Sequence, residues 1–527
     1  MTRSDCFGEE DLRQIADWGL TLEKVLSDIE RCKKGFPVVR LQRPCTVGDG
    51  LTVLRGSELD RLGQVHAQAA SAGRITKFVP ASGAASRMFQ LLLSLMDRLA
   101  VLDGSQSEAA IDPTDRNPQM FLQFIRNLKQ FAFSDELRSV MARDGLQIEQ
   151  VVAHKRYADL LTYLLTPAGL NYANVPKGLI PFHRYADHSR TPLEEHLVEA
   201  AAYAQDQDRV ARVHFTVPPE YQEAMRAHVE TLRPRYERLG CRFIVTFSVQ
   251  KPSTDTLAVD QWNEPFRDET GRLVFRPAGH GALLENLNDL QGDIIFIKNI
   301  DNLAVDRLKP ETYLYKRALA GYLIELQNEI FHYLHALSHE RHELVEERLL
   351  KEVFAFARER LSLAPPADLA RKSQAERKAF LAGRLNRPLR VCGVVQNTGE
   401  PGGGPFWVRH PDNTLSLQII EAAQVDIRTA EQRALWEAAT HFNPVDLVCG
   451  VQDYRGRPFD LPCFSDPDTG FIAQKSKDGK VLRALELPGL WNGAMARWNT
   501  VFVEVPLSTF NPVKTVLDLL RDAHRGA

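Results

Sequence analysis

Five short segments, in one order along the chain, carry residue types suited to handling phosphate: Val79-Pro-Ala-Ser-Gly-Ala-Ala-Ser-Arg87-Met88, Pro176-Lys-Gly-Leu-Ile-Pro181, Pro277-Ala-Gly-His-Gly281, Asn299-Ile-Asp-Asn302 and Phe510-Asn-Pro-Val-Lys514. Small side chains at Ala81, Ser82 and Gly83 let backbone N–H groups approach anionic oxygens, and a helix after them would turn its positive end to the same anion. Arg87 can fork onto phosphate oxygens, while Lys177 and Lys514 offer compact charges. Asp301 follows the apolar run Ile294-Ile-Phe-Ile297, where a carboxylate can reach a cation at the carboxyl edge of a sheet. Magnesium prefers such oxygen ligands and commonly bridges carboxylates to substrate phosphates. Taken singly, each segment is also an ordinary turn or a surface lysine. Neither the phosphate loop Gly-x-x-x-x-Gly-Lys-Ser/Thr nor the dinucleotide fingerprint Gly-x-Gly-x-x-Gly fits here.

The surrounding pattern supplies elements that could position these residues. Residues 9–35 read as an amphipathic helix, 43–50 as an irregular stretch, and 57–72 as a second helix. Arg74-Ile-Thr-Lys-Phe-Val-Pro80 reads as a short buried strand, and Leu92, Leu95, Met96 and Leu99 put a helix directly after the first motif. Residues from about 100 to 170 read as a helical insertion. From Val213 to Asp301 strands and helices alternate, which predicts a mainly parallel sheet covered by helices. The expected organisation is an N-terminal helical segment (1–72), a core (73–309), a helical block (310–388) and a β-rich C-terminal part (389–527) that completes the sheet.

Composition bounds the rest. With 527 residues, 44% hydrophobic and 25% charged, the chain can bury a sizeable core. A net charge of −3 and a pI of about 6.6 give no general affinity for nucleic acid or anionic membrane. The seven cysteines are dispersed without a Cys-x-x-Cys pair, which fits a reducing cytosol better than a disulfide framework. No apolar run approaches the roughly 20 residues of a membrane span, so the expectation is a cytoplasmic protein.

The first two motifs resemble the opening Ala-Gly-Gly-x-Gly-Thr-Arg-Leu/Met and the following Pro-Lys-x-Leu-x-Pro of the nucleotide-sugar pyrophosphorylases. Ser82 and Ala85 stand where that family has glycine, and a long insertion separates Arg87 from Lys177. Phe247-Ser-Val-Gln250, Arg276-Pro-Ala-Gly-His-Gly281, Asn299-Ile-Asp-Asn-Leu303 and Phe510-Asn-Pro-Val-Lys514 resemble the series seen in the UDP-sugar branch, the UTP-sugar-1-phosphate uridylyltransferases. The whole-chain pattern also resembles DUF4301, a bacterial family of unassigned function.

The likeness implies a mixed, mainly parallel sheet of the nucleotide-diphospho-sugar transferase (GT-A, Rossmann-like) type. It implies that Arg87, Lys177 and Lys514 hold the triphosphate, that Ala81, Ser82, Gly83, Gln250, Gly279, His280 and Gly281 meet the nucleotide, and that Asn299, Glu421 and Asn499 meet the sugar phosphate. Asp301 would bind Mg²⁺, and the substrates would be UTP and a sugar 1-phosphate. A catalytically inactive sugar-nucleotide-binding protein and a glycosyltransferase on the same fold are the alternatives. Outside this set, His332, His335, His339 and His342 share one helical face but read as a solvated or partner-facing surface, and Gly399-Glu-Pro-Gly-Gly-Gly-Pro405 reads as an exposed loop.

Overall fold

The β-branched and aromatic runs of the sequence become the strands of one large sheet. A computed structural model describes residues 7–83, 85–101, 116–238, 240–338, 347–366, 368–400, 402–477 and 479–526. The nine strands of the main sheet lie in the order Thr46–Val47, Gly50–Val53, Asn499–Glu504, Leu389–Gln396, His441–Gly450, Ile294–Lys298, Ile75–Pro80, Val210–Thr216 and Arg242–Ser248. Parallel pairing predominates, with Ile294 opposite Ile75 and Val210 opposite Arg242. The pairing of Leu389–Gln396 with His441–Gly450 is antiparallel. The fold is thus mixed α/β with a mostly parallel sheet and a strand-rich C-terminal part.

The chain divides into two compact units. One comprises Met1–Phe78, Gln250–Ile297 and Tyr315–Leu507; the other comprises Val79–Val249, Lys298–Leu314 and Ser508–Ala527. Residues 73–309, expected as one core, contribute to both units. Strands Ile75–Pro80 and Ile294–Lys298 both begin in the first unit and end in the second.

In the first unit, the stretch 43–50 expected to be irregular holds the short strand Thr46–Val47 and the ends of two others, Arg40–Pro44 and Gly50–Val53. Leu51 pairs with Phe502 in a parallel register, a partner some 450 positions away that no local pattern announces. Leu51, Phe78, Ile295, Leu447 and Phe502 share one buried apolar cluster. The helix expected over 9–35 is two, Glu9–Asp17 and Leu22–Lys34. Gly19, at φ +74°, makes the break, and the Thr21 hydroxyl accepts from the Lys24 N–H to start the second helix.

In the second unit, Arg116–Arg126, Ser134–Arg143, Ile148–Ala153 and Tyr157–Leu165 form the expected helical insertion. Their core of Phe121, Phe124, Leu160 and Leu164 also takes in Val513, Val516 and Leu519 from the C-terminal segment. Burial of these last three ties Lys514 to the helical insertion.

The cysteines are reduced: Cys32, Cys45, Cys241, Cys392 and Cys449 are buried and Cys463 is exposed, all free. Burial raises the Cys32 and Cys392 thiols to about 11, which keeps them protonated and inert. Cys6 lies outside the described residues, as do His339 and His342 of the four-histidine face. The His335 ring packs edge-on against Tyr454, 5.0 Å away. No helix among the described residues is long and apolar enough to cross a membrane.

Candidate functional site

In the second unit the strand Ile75–Pro80 runs out at Ala81, whose N–H donates to the Thr216 carbonyl (2.8 Å). Ser82 and Gly83 are exposed, and their N–H groups make no hydrogen bond among the described residues. Ala85 opens the 3₁₀ turn Ala85–Arg87, fully buried, and its N–H donates to the Val175 carbonyl (3.3 Å). This accounts for alanine where a related loop has glycine: the methyl packs in the apolar core of the helical insertion. Arg87 is exposed, with no hydrogen bond or ion pair among the described residues. The helix expected directly after the motif starts at Gln90, one 3₁₀ turn later.

Val175 stands two residues before Lys177. From the 3₁₀ turn Lys177–Leu179, the Lys177 ammonium donates to Asp301 Oδ2 and to the Val513 carbonyl, both at 2.7 Å. The two side chains are 12% and 21% exposed, so the pair is shielded yet open to exchange. The Val513 N–H returns to the Asp301 carbonyl (3.0 Å), and Asn511 donates its N–H to Asn302 Oδ1 (2.8 Å). Val516 then donates to the Met88 carbonyl (3.0 Å), next to Arg87. Lys514 lies between those two anchors, with its ammonium 5.9 Å from the Phe510 ring centroid. Direct hydrogen bonds thus join the segments bearing Arg87, Lys177, Asp301 and Lys514 within one unit. One of the three cations, Lys177, pairs with the carboxylate, and the two loop N–H groups remain uncommitted among the described residues.

Charged groups that sequence reasoning missed support this cluster. Lys298, at the strand end before Asn299, is buried and donates to Glu199 (2.6 Å). His196 Nε2 lies 3.3 Å from the Ile300 carbonyl, so Asn299 sits between two fixed residues. Further along, His183 bridges Glu195 (2.8 Å) and His524 (2.9 Å), and Lys309 pairs with the same Glu195. Burial would raise Glu195, but the His183 hydrogen bond and the Lys309 charge outweigh it and hold the carboxyl at about 2. Burial, aided by His183, pushes His524 down to about 3. In the helix Pro192–Tyr203, Glu194, Glu195, His196 and Glu199 are all buried, and buried carboxylates on one helix require partners; the sequence by itself carries no signal of that burial.

The other proposed residues belong to the first unit, where packing absorbs most of them. Gly279 has φ +76°, and a Cβ there would lie 2.6 Å from Glu486 Oε2. A Cβ on Gly281 would lie 2.1 Å from the Pro488 carbonyl oxygen. On the side where a Cβ would project, their close approach is made to neighbouring chain. His280 stacks on Trp491 at 4.1 Å and accepts the Leu490 N–H at Nδ1 (3.0 Å). Burial lowers its pKa against the pull of Glu421 and Glu486, so it is a neutral ring and supplies no phosphate-binding cation. Gln250 donates to Asp255 (3.1 Å), and the Glu421 N–H is capped by Gln424 (2.9 Å). Asn499 is buried and gives its amide to the Leu385 carbonyl (3.3 Å), an arrangement that fixes a helix end and leaves a sugar no access to that donor.

A family profile described as Domain of unknown function (DUF4301) matches residues 8–525. The chain belongs to the DUF4301 family. No curated protein matches its sequence. Among solved structures, this DUF4301 chain is similar to a point variant of UDP-glucose pyrophosphorylase from Leishmania major, at 13% identity over 97% of this chain and 77% of that one, TM-score 0.45. It is also similar to UDP-N-acetylglucosamine pyrophosphorylase from Trypanosoma brucei, at 12% identity over 98% and 79%, TM-score 0.47.

Among the described residues no group of three or more His, Cys, Asp or Glu side chains could hold a metal ion. Asp301 supplies one hard oxygen, now engaged by Lys177. That donor set does not fit a metal caged by protein alone, but it fits an ion whose other ligands are phosphate oxygens and water, the usual habit of magnesium.

Proposed function

We propose that the protein is a sugar-1-phosphate nucleotidyltransferase that uses UTP and Mg²⁺. The observation that carries this reading is the linked cluster of Arg87, Lys177, Asp301 and Lys514, beside the unpaired N–H groups of Ser82 and Gly83. A sugar 1-phosphate oxygen attacks the α-phosphorus in line; the new O–P bond forms as the α–β anhydride bond breaks, and pyrophosphate leaves with the bonding electrons. The attacking oxygen is already ionised, so no general base is needed, consistent with a site built of cations and a carboxylate. Both reactants are anions, and the chain's contribution is alignment and charge neutralisation.

In this reading the Ser82 and Gly83 N–H groups hold phosphate oxygens, Arg87 forks onto them, and Lys514 approaches from the C-terminal segment. Asp301 would hold the magnesium, which neutralises phosphate charge. Lys177, paired with that carboxylate in this structure, would turn to the phosphates. The test is pyrophosphate release from UTP and a panel of hexose 1-phosphates with Mg²⁺. Release that depends on both substrates and is suppressed by EDTA supports the reading, and its absence with every nucleoside triphosphate and sugar phosphate tried overturns it.

A further inference from the structure

A cavity of about 370 Å³ lies wholly within the first unit, and none of the residues assigned to phosphate handling lines it. Val39, Val408 and Ile419 give it apolar walls, and His410, Gln418, Gln424 and Asn492 place polar groups among them. Asn492 is 4% exposed, and its Oδ1 is buried without a hydrogen-bond partner among the described residues. Leaving such an acceptor unmade is costly, and a ligand donor would relieve it. Gln418 spends its amide N–H groups on the Ser416 hydroxyl and the Ala496 carbonyl, both at 2.8 Å, which leaves Oε1 as a second acceptor. Gln424 uses its Oε1 on the Glu421 N–H (2.9 Å), which leaves Nε2 as a donor.

Charges at the rim are spent or balanced. The Arg409 guanidinium donates twice to Gln42 Oε1 (2.9 and 2.6 Å), and Asp468 pairs with Arg31 (2.9 Å). Asp466 would repel an anion, and exposed Arg40 and half-buried Arg409 would repel a cation. Burial lowers the His410 pKa, so that ring too is neutral. The unspent groups are therefore both donors and acceptors, uncharged, set against aliphatic walls, the usual makeup of a small-molecule pocket.

We propose that this cavity binds a neutral pyranose, whose hydroxyls meet Asn492, Gln418 and Gln424 and whose C–H faces lie on Val39 and Ile419. The proposal is independent of the nucleotidyltransferase reading. Saturation-transfer NMR on the full chain, with methyl α-D-glucopyranoside and N-acetyl-D-glucosamine as probes, tests it. At least one probe binds saturably to the wild type; Val39→Trp and Ala496→Trp fill the cavity and abolish the signal. Asn492→Leu weakens binding about tenfold, the loss of one hydrogen bond. Lys177→Ala leaves binding unchanged. If Ala496→Trp fails to fold, Val39→Trp, at a half-exposed position, carries the test. Absence of saturable binding by both probes, binding that survives Val39→Trp, or binding lost in Lys177→Ala overturns the proposal.

Discussion

Two glycine-bearing segments, one in each unit, look alike in sequence and do different physical work. In the second unit Ser82 and Gly83 are exposed with unspent N–H groups, and a Cβ on Gly83 would meet nothing within 4 Å. In the first, Gly279 and Gly281 are filled to contact by Glu486 and Pro488. The former segment is open to an external anion; the latter is a packing joint. Small residues allow close approach of backbone, but the sequence does not say whether the thing approached is a ligand or the chain itself.

The contrast is sharpest in variants that separate turnover from stability. Lys177→Ala is expected to lower kcat by about 10²–10³-fold, the scale of losing one electrostatic contact to a developing charge, with the fold intact by circular dichroism. Gly281→Ala is expected to act on stability instead, by roughly 1–3 kcal/mol in urea unfolding, because the Pro488 carbonyl must move aside. Turnover that survives the first change, or stability untouched by the second, would erase the distinction between the two regions.

Acid should weaken the second unit next. His524 is held at about 3, below its ordinary 6.5, so the unfolded chain takes a proton that the folded one refuses. Its contribution is complete above pH 6.5 and is lost as pH falls toward 3. Glu195, at about 2 against 4.5, contributes above pH 4.5 and loses that contribution below it. Between pH 7 and 5 His524 contributes a slope of at most about 1.4 kcal/mol per pH unit below its unfolded pKa, in the same sense as His228, His280 and His410, which burial also lowers. Urea melts across that interval should show the decline, and His524→Phe should make it shallower; equal slopes in both proteins would exclude His524 as a source.

The smallest structural effect belongs to Arg87→Ala. Because the side chain is exposed with no partner among the described residues, its melting temperature should match the wild type. Its affinity for UTP should fall, and by less at high salt, where surface charge is screened. A lowered melting temperature with unchanged affinity would make Arg87 a packing residue and reverse its place in the comparison.

What the sequence disclosed follows from how local the cause is. Strands such as Ile294–Lys298 and Leu389–Gln396 were legible because their apolar, β-branched runs are buried on both faces. The strand Gly50–Val53 was not, since Leu51, Thr52 and Val53 are held by Phe502, Val503 and Glu504 across the fold. The segments bearing the candidate site were legible as motifs, whereas the hydrogen bonds of Lys177 to Asp301 and Val513 were invisible, being contacts across 124 and 336 positions. The buried carboxylates of Pro192–Tyr203 were missed because a helix with Glu194, Glu195 and Glu199 looks solvent-facing until its partners His183, Lys298 and Lys309 are in place. The packing role of Gly281 depended on Pro488, which is remote in sequence.

Under the proposed function, the segments joined through Lys177 and Asp301 form one polyphosphate site. Calorimetric titration of UTP with Mg²⁺ into the wild type, Lys177→Met and Lys514→Met tests it most directly. Saturable binding to the wild type, weakened at least about tenfold in each variant by loss of a charge-assisted contact, is the predicted result. Equal affinity in all three proteins, or no binding to any, would contradict it.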